Sequence, residues 1–341
     1  MRLLAFETSC DETSVAVIRD GVVVSNVVSS QIKLHEVYGG VVPELATREH
    51  LQNLPSVALE ALRQSGTKPD ELDAIAATQG PGLPSALMIG LQTAQAMAFS
   101  LQKPFYGVNH HEAHLYSPWI TGVPARACFD TFEPSVSLIV SGGHTLLVHV
   151  KSELDHRVLG ATVDDAAGEC FDKTAKMIGL PYPGGPALEQ LAIGGNPAAY
   201  MFPRPMMHDA SDDFSFSGLK TSVRYFLRDN PSIFSSSSGL RDLCASVQSA
   251  IVEVLVTKTV RAARRLRVGC ITASGGVTCN RSLRKEMEIH CLKNGLKLRI
   301  AEPAFCTDNA GMIGILAERK ILKRVLSTGL ANEINPSWSL D

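Results

Sequence analysis

With 341 residues, 45% of them hydrophobic and 19% charged, the chain has an ordinary soluble balance and the length of a two-domain or two-lobed protein with a sizeable core. Its net charge of -2 excludes a globally basic nucleic-acid-binding surface, so any RNA contact must come from a local patch. Eight cysteines, none in Cys-x-x-Cys spacing, give neither a zinc ribbon nor a redox motif and read as thiols of a reducing cytoplasm. The opening Met1–Glu7 matches neither a signal peptide nor an Arg-rich transit peptide. No run reads as long and apolar enough to span a bilayer, so a cytoplasmic protein without a membrane partner is expected.

Residues 2–28 read as strands, Leu3–Phe6, Val15–Ile18 and Val22–Val24, with Asp20-Gly21 turning the second into the third. Between the first two, Glu7-Thr8-Ser9-Cys10-Asp11-Glu12-Thr13-Ser14 gathers hydroxyls and carboxylates. Such a turn suits a phosphate or a phosphate-bound metal, and equally a plain polar turn. Gly39-Gly40-Val41-Val42-Pro43 leads into a helical pattern over Glu44–Gln64, stopped by Gly66. A buried strand, Ala74–Thr78, ends in Gln79-Gly80-Pro81-Gly82-Leu83-Pro84 ahead of an apolar helix over Ser85–Ser100. Gly80 and Gly82 would let backbone approach a ligand near a helix N-terminus, although tight turns need glycine regardless.

Pro104–Val108 is a further strand, feeding Asn109-His110-His111-Glu112-Ala113-His114. In a helix, His110 and His114 lie one turn apart on one face, with His111 and Glu112 pointing away. Two imidazoles at i, i+4 make a half-site for a divalent metal, because each neutral ring donates a lone pair. A polar helix start with histidines satisfied by backbone fits the same pattern. The zinc-protease pattern His-Glu-x-x-His fails on spacing, since the histidine after His111-Glu112 comes one residue early.

The second half repeats the first. Val136–Val140, the turn Ser141-Gly142-Gly143-His144-Thr145 and Leu146–Val150 echo the opening strand, turn and strand. Val268–Ala273, followed by Ser274-Gly275-Gly276-Val277-Thr278-Cys279-Asn280 and a helix, echoes Ala74–Ser85. This predicts a duplicated α/β architecture of two lobes with a ligand in the cleft between them. The expected division is 1–108 for lobe I, with 306–341 returning to it, and 109–305 for lobe II, histidine helix included. Between the landmarks, Asp164–Lys173 reads as a helix start, Tyr182–Pro186 as a stiff loop before Glu189, and Phe214–Thr221 as a polar-aromatic loop. Ser235–Gly239 reads as a mobile surface loop. Arg261, Arg264, Arg265 and Arg267 close a long helix, where cations complement the helix dipole; with Lys220 they are also the available RNA patch. Asp308 stands at a loop–helix junction, where capping is its default role.

As an ordered set, Glu7–Thr13, Gly39–Glu44, His110–His114, Val140–Thr145, Asp164–Lys173, Tyr182–Pro186, Phe214–Thr221, Gly275-Gly276-Val277 with Asn280, and Cys306–Asn309 closely resemble the TsaD family. These are the tRNA N6-adenosine threonylcarbamoyltransferases, formerly called glycoproteases, and the likeness is to the bacterial type over nearly the whole chain. The resemblance implies the actin/Hsp70/sugar-kinase-like (ASKHA) α/β fold. It implies one divalent metal per subunit, Fe2+ or alternatively Zn2+, on His110, His114 and Asp308. It places substrate binding on Ile139, Val140, Ser141, Gly142, Gly143, Asp172, Gly185, Glu189 and Asn280. Archaeal and eukaryotic members carry Tyr at the position of Ile139, where it approaches the metal; Ile139 cannot ligate, leaving three protein ligands and open positions. Ser274 stands where many bacterial relatives have alanine.

The implied reaction moves a threonylcarbamoyl group from threonylcarbamoyl-AMP to N6 of adenosine 37 in tRNAs reading codons that begin with A. The metal would serve as Lewis acid or template, and the Ser141–Gly143 N–H groups would face phosphate or the developing oxyanion. Asp172 and Glu189 would accept from ribose hydroxyls, and Asn280 would fix the nucleotide. Asp11 and Glu12 are the candidate bases for the N6 proton. The implied partners are tRNA, a paralogous dimerisation subunit and a P-loop ATPase. A metalloprotease has the wrong spacing, an ATP phosphotransferase leaves the histidines unexplained, and an Hsp70-like scaffold lacks residues for a substrate domain.

Overall fold

Asp20 and Gly21 take φ of 49° and 75°, the positive-φ pair that a two-residue hairpin needs. They join β2 (Glu12–Arg19) to β3 (Val22–Ser30), and β1 (Arg2–Glu7) pairs antiparallel with β2 from Arg2↔Arg19 to Glu7↔Ser14. After the short α1 (Ile32–Glu36), α2 (Pro43–Ser65) starts on a proline and stops at Gly66, whose φ of 61° ends the helix left-handed. Then follow β4 (Ala74–Gly80), α3 (Pro84–Leu101), β5 (Phe105–Asn109), α4 (His110–Tyr116), β6 (Ile120–Thr121) and β7 (Arg126–Ala127).

A second sheet opens with β8 (Ser135–Val140), β9 (Thr145–Ser152) and β10 (Asp155–Ala161). Four helices follow: α5 (Ala167–Met177), α6 (Gly184–Ala192), α7 (Ser217–Asp229) and α8 (Ser237–Leu266). The sheet is completed by β11 (Cys270–Ser274), α9 (Arg281–Lys293) and β12 (Lys297–Ile300). The chain then forms α10 (Pro303–Cys306) and α11 (Ala310–Leu322).

The computed structural model describes residues 1–340 and divides into two units, Met1–Phe132 with the segment from Ala301, and Glu133–Ile300. The first sheet has the order β5-β4-β1-β2-β3-β7-β6, the second β10-β9-β8-β11-β12. Reversed, the second reads β12-β11-β8-β9-β10 and matches β5-β4-β1-β2-β3 strand for strand. In each, an antiparallel meander is extended by a strand parallel to its first, β4 on β1 and β11 on β8. This is the duplicated ASKHA architecture.

Several expectations change. The division falls at 132/133 and 300/301 instead of 108/109 and 305/306, because β6 and β7 continue the first sheet beside β3; the histidine helix therefore belongs to the first unit. Ser235–Gly239 is not a loose loop: Ser236 Oγ accepts from Gly239 N–H at 3.0 Å and caps α8. At 30 residues, α8 is long and apolar enough to cross a membrane, which the sequence reading did not expect of any run. Its Leu243, Val247, Ile251 and Leu255 are nevertheless fully buried in the core of the second unit, as in a core helix. Asp164 and Asp165 precede α5 without capping it; Glu169 instead accepts from Ala166 N–H at 3.3 Å. Asp164 holds the 214–217 segment, accepting from the Ser215 and Ser217 hydroxyls at 2.6 Å each and from the Phe216 and Ser217 N–H groups.

Candidate metal centre and glycine-rich turn

The first turn of α4 follows β5 without a linker, because Asn109 ends the strand and caps the helix, its Oδ1 accepting from Glu112 N–H at 3.0 Å. The helical period then sets the His110 and His114 rings on one face, 4.8 Å apart and nearly perpendicular. Facing them is Asp308, at the start of α11. Its neighbour Asn309 takes the cap, accepting from Met312 N–H at 3.0 Å, so the Asp308 carboxylate is free of that duty. Asp308 Oδ1 stands 3.3 Å from both His110 Nε2 and His114 Nε2. Among the described residues, one ligand atom from each of His110, His114 and Asp308 lies within 4.8 Å of the others, and the three form a group that could hold a metal ion.

The surroundings fit such an ion. Glu7, fully buried at the end of β1, receives His110 Nδ1 at 2.9 Å and the Thr78 hydroxyl at 2.7 Å on Oε2. A carboxylate behind the histidine fixes the tautomer that leaves Nε2 with its lone pair, the arrangement found behind metal-bound imidazoles. His114 Nδ1 is buried with no hydrogen-bond partner. Burial pushes the His110 imidazole down, but Asp308 and Glu7 outweigh it and hold it well above its ordinary value. Burial alone would raise Asp308; the two histidines reverse that and hold it well below the usual range. His114 is lowered, by burial first and then partly by the charge of His110.

Behind α4, Glu112 and Lys320 form an ion pair of 2.6 Å whose side chains are only 10% and 15% exposed, tying α4 to α11. The Glu7–Thr13 turn is supported by α2, with His50 Nε2 bonded to Cys10 O at 2.9 Å and Nδ1 to the Thr13 hydroxyl at 2.8 Å. Neither support was signalled by a motif. Asp11 is buried in this turn, and Glu12 is raised well above its ordinary value by burial and then by Asp11 and Asp308. Glu12 thus lies in the electrostatic field of Asp308. Gly80 and Gly82 have a different role from the one expected. A Cβ on Gly80 would meet Asn335 O at 1.8 Å and one on Gly82 would meet Ser9 O at 2.5 Å, so both admit the chain's own backbone.

The other candidate residues all lie in the second unit. Ile139 and Val140 are fully buried in β8, so only their backbone can face a ligand. Beyond them Ser141 N–H donates to His144 O at 2.8 Å and His144 N–H to Ser141 Oγ at 3.1 Å, closing the turn. Gly142 and Gly143 stand exposed at its tip, and a Cβ on either would meet nothing within 4 Å. Fold alone does not demand glycine there; close approach of a ligand would. Gly275 is the opposite case, with φ +91° and Val140 O only 2.3 Å from a Cβ. The start of α5 presses on the turn, leaving no room for a Cβ on Gly168 beside Ser141 O at 2.4 Å. Asp172 Oδ1 accepts from Gly185 N–H at 3.0 Å, and Glu189 Oε1 accepts from Arg281 N–H at 2.7 Å. Asn280 caps α9 through Leu283 N–H at 3.0 Å and donates to Gln248 Oε1 at 2.8 Å.

The expected RNA patch is largely committed inward. Arg261 donates to the carbonyls of Met207, Asp209 and Ser211 at 3.2, 2.8 and 2.7 Å, and Arg265 forks onto Asp212. Lys220 pairs with Asp165 at 2.6 Å. Arg264, Arg265 and Arg267 are all exposed at the helix end, Arg265 with its guanidinium already on Asp212.

Fold and site together define an ASKHA-fold protein with a His-His-Asp cluster and a glycine-rich turn. Solved structures that share the fold include HypF of T. kodakarensis, at TM-score 0.62 and 17% identity over 95% of this chain and 48% of that one, and the (R)-2-hydroxyglutaryl-CoA dehydratase component A of Acidaminococcus fermentans, at TM-score 0.55 and 13% identity over 94% and 99%. A family model for TsaD, tRNA N6-adenosine threonylcarbamoyltransferase, matches residues 22–315. Relatives of that name include those of Geotalea uraniireducens, 47% identical over 100% of this chain and 97% of the relative, and Chlorobium phaeobacteroides, 46% identical over 100% and 99%. The chain belongs to the TsaD family and is a tRNA-modifying threonylcarbamoyltransferase.

Proposed function

We propose that this enzyme takes its threonylcarbamoyl group from threonylcarbamoyl-AMP and places it on N6 of adenosine 37 of tRNAs reading codons that start with A. One divalent metal, Fe2+ or alternatively Zn2+, is held by His110, His114 and Asp308, and supplies Lewis-acid polarisation or a template for the threonyl group. The observation that carries this reading is the convergence of those three side chains, backed by Glu7, in a chain of this family.

In the transfer, the adenine amine attacks the carbamoyl carbonyl carbon, a C–N bond forms, the C–O bond to phosphate breaks, and AMP leaves with that oxygen. The backbone N–H groups of Gly142 and Gly143 receive phosphate or the developing oxyanion, and the absence of side chains there supports that role. Asp172, Gly185, Glu189 and Asn280 orient the nucleotide, Asp172 and Glu189 toward ribose hydroxyls, with Ile139, Val140 and Ser141 setting the strand end. Asp11 and Glu12 are the candidate acceptors of the proton that N6 loses. The enzyme works in the cytoplasm with a paralogous dimerisation subunit and a P-loop ATPase, and the net charge of -2 supports a need for such partners in holding tRNA.

The test is incubation of the metal-loaded chain and those partners with threonylcarbamoyl-labelled donor, tRNA and casein. Label on tRNA, matched by released AMP and lost when adenosine 37 is replaced, supports the reading. Label released to water in equal amounts with or without tRNA, or cleavage of casein, refutes it.

A further inference from the structure

Segment 328–340 crosses the first unit as a strap with tight turns at 329–332 and 335–338. Thr328 N–H donates to Phe105 O at 2.8 Å and Gly107 N–H donates to Thr328 Oγ1 at 2.9 Å, closing the open edge of β5. Gln95 Nε2 and Gln79 Nε2 then donate to Asn332 O and Glu333 O at 2.8 and 2.7 Å, and Asn335 N–H donates to Gln79 O at 2.8 Å. Edge protection needs nothing more. Yet the strap continues past the sheet: Gly82 N–H donates to Pro336 O at 3.2 Å, and Asn109 Nδ2 donates to Trp338 O and Ser339 O at 3.3 and 3.2 Å.

Asn109 is 3% exposed and caps the metal helix with its other amide atom. The two strap carbonyls therefore fix which end of the Asn109 amide faces Glu112 N–H, and with it the first turn that carries His110. Gly82, the other contact, abuts Ser9, whose hydroxyl lies 3.2 Å from His110 Nδ1. Both ends of the strap's final stretch thus reach His110, by two different routes.

We propose that residues 336–339 are a positioning element of the metal centre, acting through Asn109 and the Gly82–Ser9 contact. This rests on the metal reading given above. Residues that orient metal-binding side chains from behind commonly change metal affinity by about 10–100-fold when removed. Two variants test the strap: truncation after Asn335, and Asn109→Ser, which keeps a good cap oxygen but loses the donors to the strap. Zn2+ affinity is measured by chelator competition, with the melting temperature of each metal-free protein as control. The expected result is a loss of affinity of about tenfold or more in each variant, with the double variant losing less than the product of the two. Zn2+ affinity unchanged in both folded variants, with only melting temperature lowered, would overturn the positioning role while leaving the metal site standing. Absence of both Zn2+ and Fe2+ binding in the wild type would overturn the metal reading and the strap together.

Discussion

Glu7→Gln keeps the shape of the side chain and removes only its charge and one acceptor. Three donors converge on the Glu7 carboxylate: Ser9 N–H on Oε1, and the Thr78 hydroxyl and His110 Nδ1 on Oε2. An amide has one oxygen. If its NH2 faces Ser9, two N–H groups collide. If it faces His110, Nδ1 must become an acceptor and the proton moves to Nε2, the atom that faces Asp308. In the second case the lone pair needed for metal is lost. The expected loss of metal affinity is about 10–100-fold, or roughly 1.4–2.7 kcal/mol. Stability of the metal-free protein should fall by about 1–3 kcal/mol, the usual effect of a mispaired buried polar group. Thr78→Val is the control, removing one donor to the same oxygen while leaving charge and tautomer intact. Zn2+ competition titrations and thermal melts separate the two effects. Metal affinity of Glu7→Gln within twofold of wild type would refute the tautomer reasoning.

Alanine at His110 or His114 should abolish stoichiometric metal, while His111→Ala retains it; metal analysis of dialysed protein checks this, and equal loss in all three would contradict the facing pair. Gly143→Ala should melt within about 0.5 kcal/mol of wild type and weaken threonylcarbamoyl-AMP binding, whereas Gly275→Ala should be strongly destabilised by its left-handed φ and the Val140 carbonyl. Arg265→Gln should loosen the 206–213 segment and lower the melting temperature, with the salt slope of tRNA binding unchanged because its charge already serves Asp212. Burial opposes ionisation of Asp164, but the Ser215 and Ser217 hydroxyls and two N–H groups win and lower its pKa. Its stabilisation is therefore present at neutral pH and lost as pH falls below about 4, so melts of Asp164→Asn and wild type should differ at pH 7 and converge in acid.

The periodic parts of this fold were legible: the hairpin at Asp20-Gly21, the stop at Gly66, and the repeated strand–turn–strand that the two sheets reproduce in the same order. The i, i+4 spacing of His110 and His114 placed them on one face before any partner was visible. Asp308 was different. Its local context argued capping, and only the family resemblance brought it to the histidines; Asn309, one residue on, is the actual cap. What stayed hidden depends on long-range approach. Gly80 reads as a turn glycine, and nothing nearby in sequence says that Asn335 lies on it. Arg261 and Arg265 sit at a helix end where the dipole accounts for them, while their true partners lie in a loop some fifty positions earlier. The Glu112–Lys320 pair spans α4 and α11, two helices whose adjacency no local pattern encodes.

Central to the account is one metal ion on His110, His114 and Asp308 in the protein that carries out the transfer. Anomalous scattering from crystals of the active, metal-loaded enzyme, recorded across the iron and zinc edges, addresses this directly. The account predicts one strong peak per chain within bonding distance of His110, His114 and Asp308. A peak bound by other residues, or an active enzyme with no peak at these three, would contradict it.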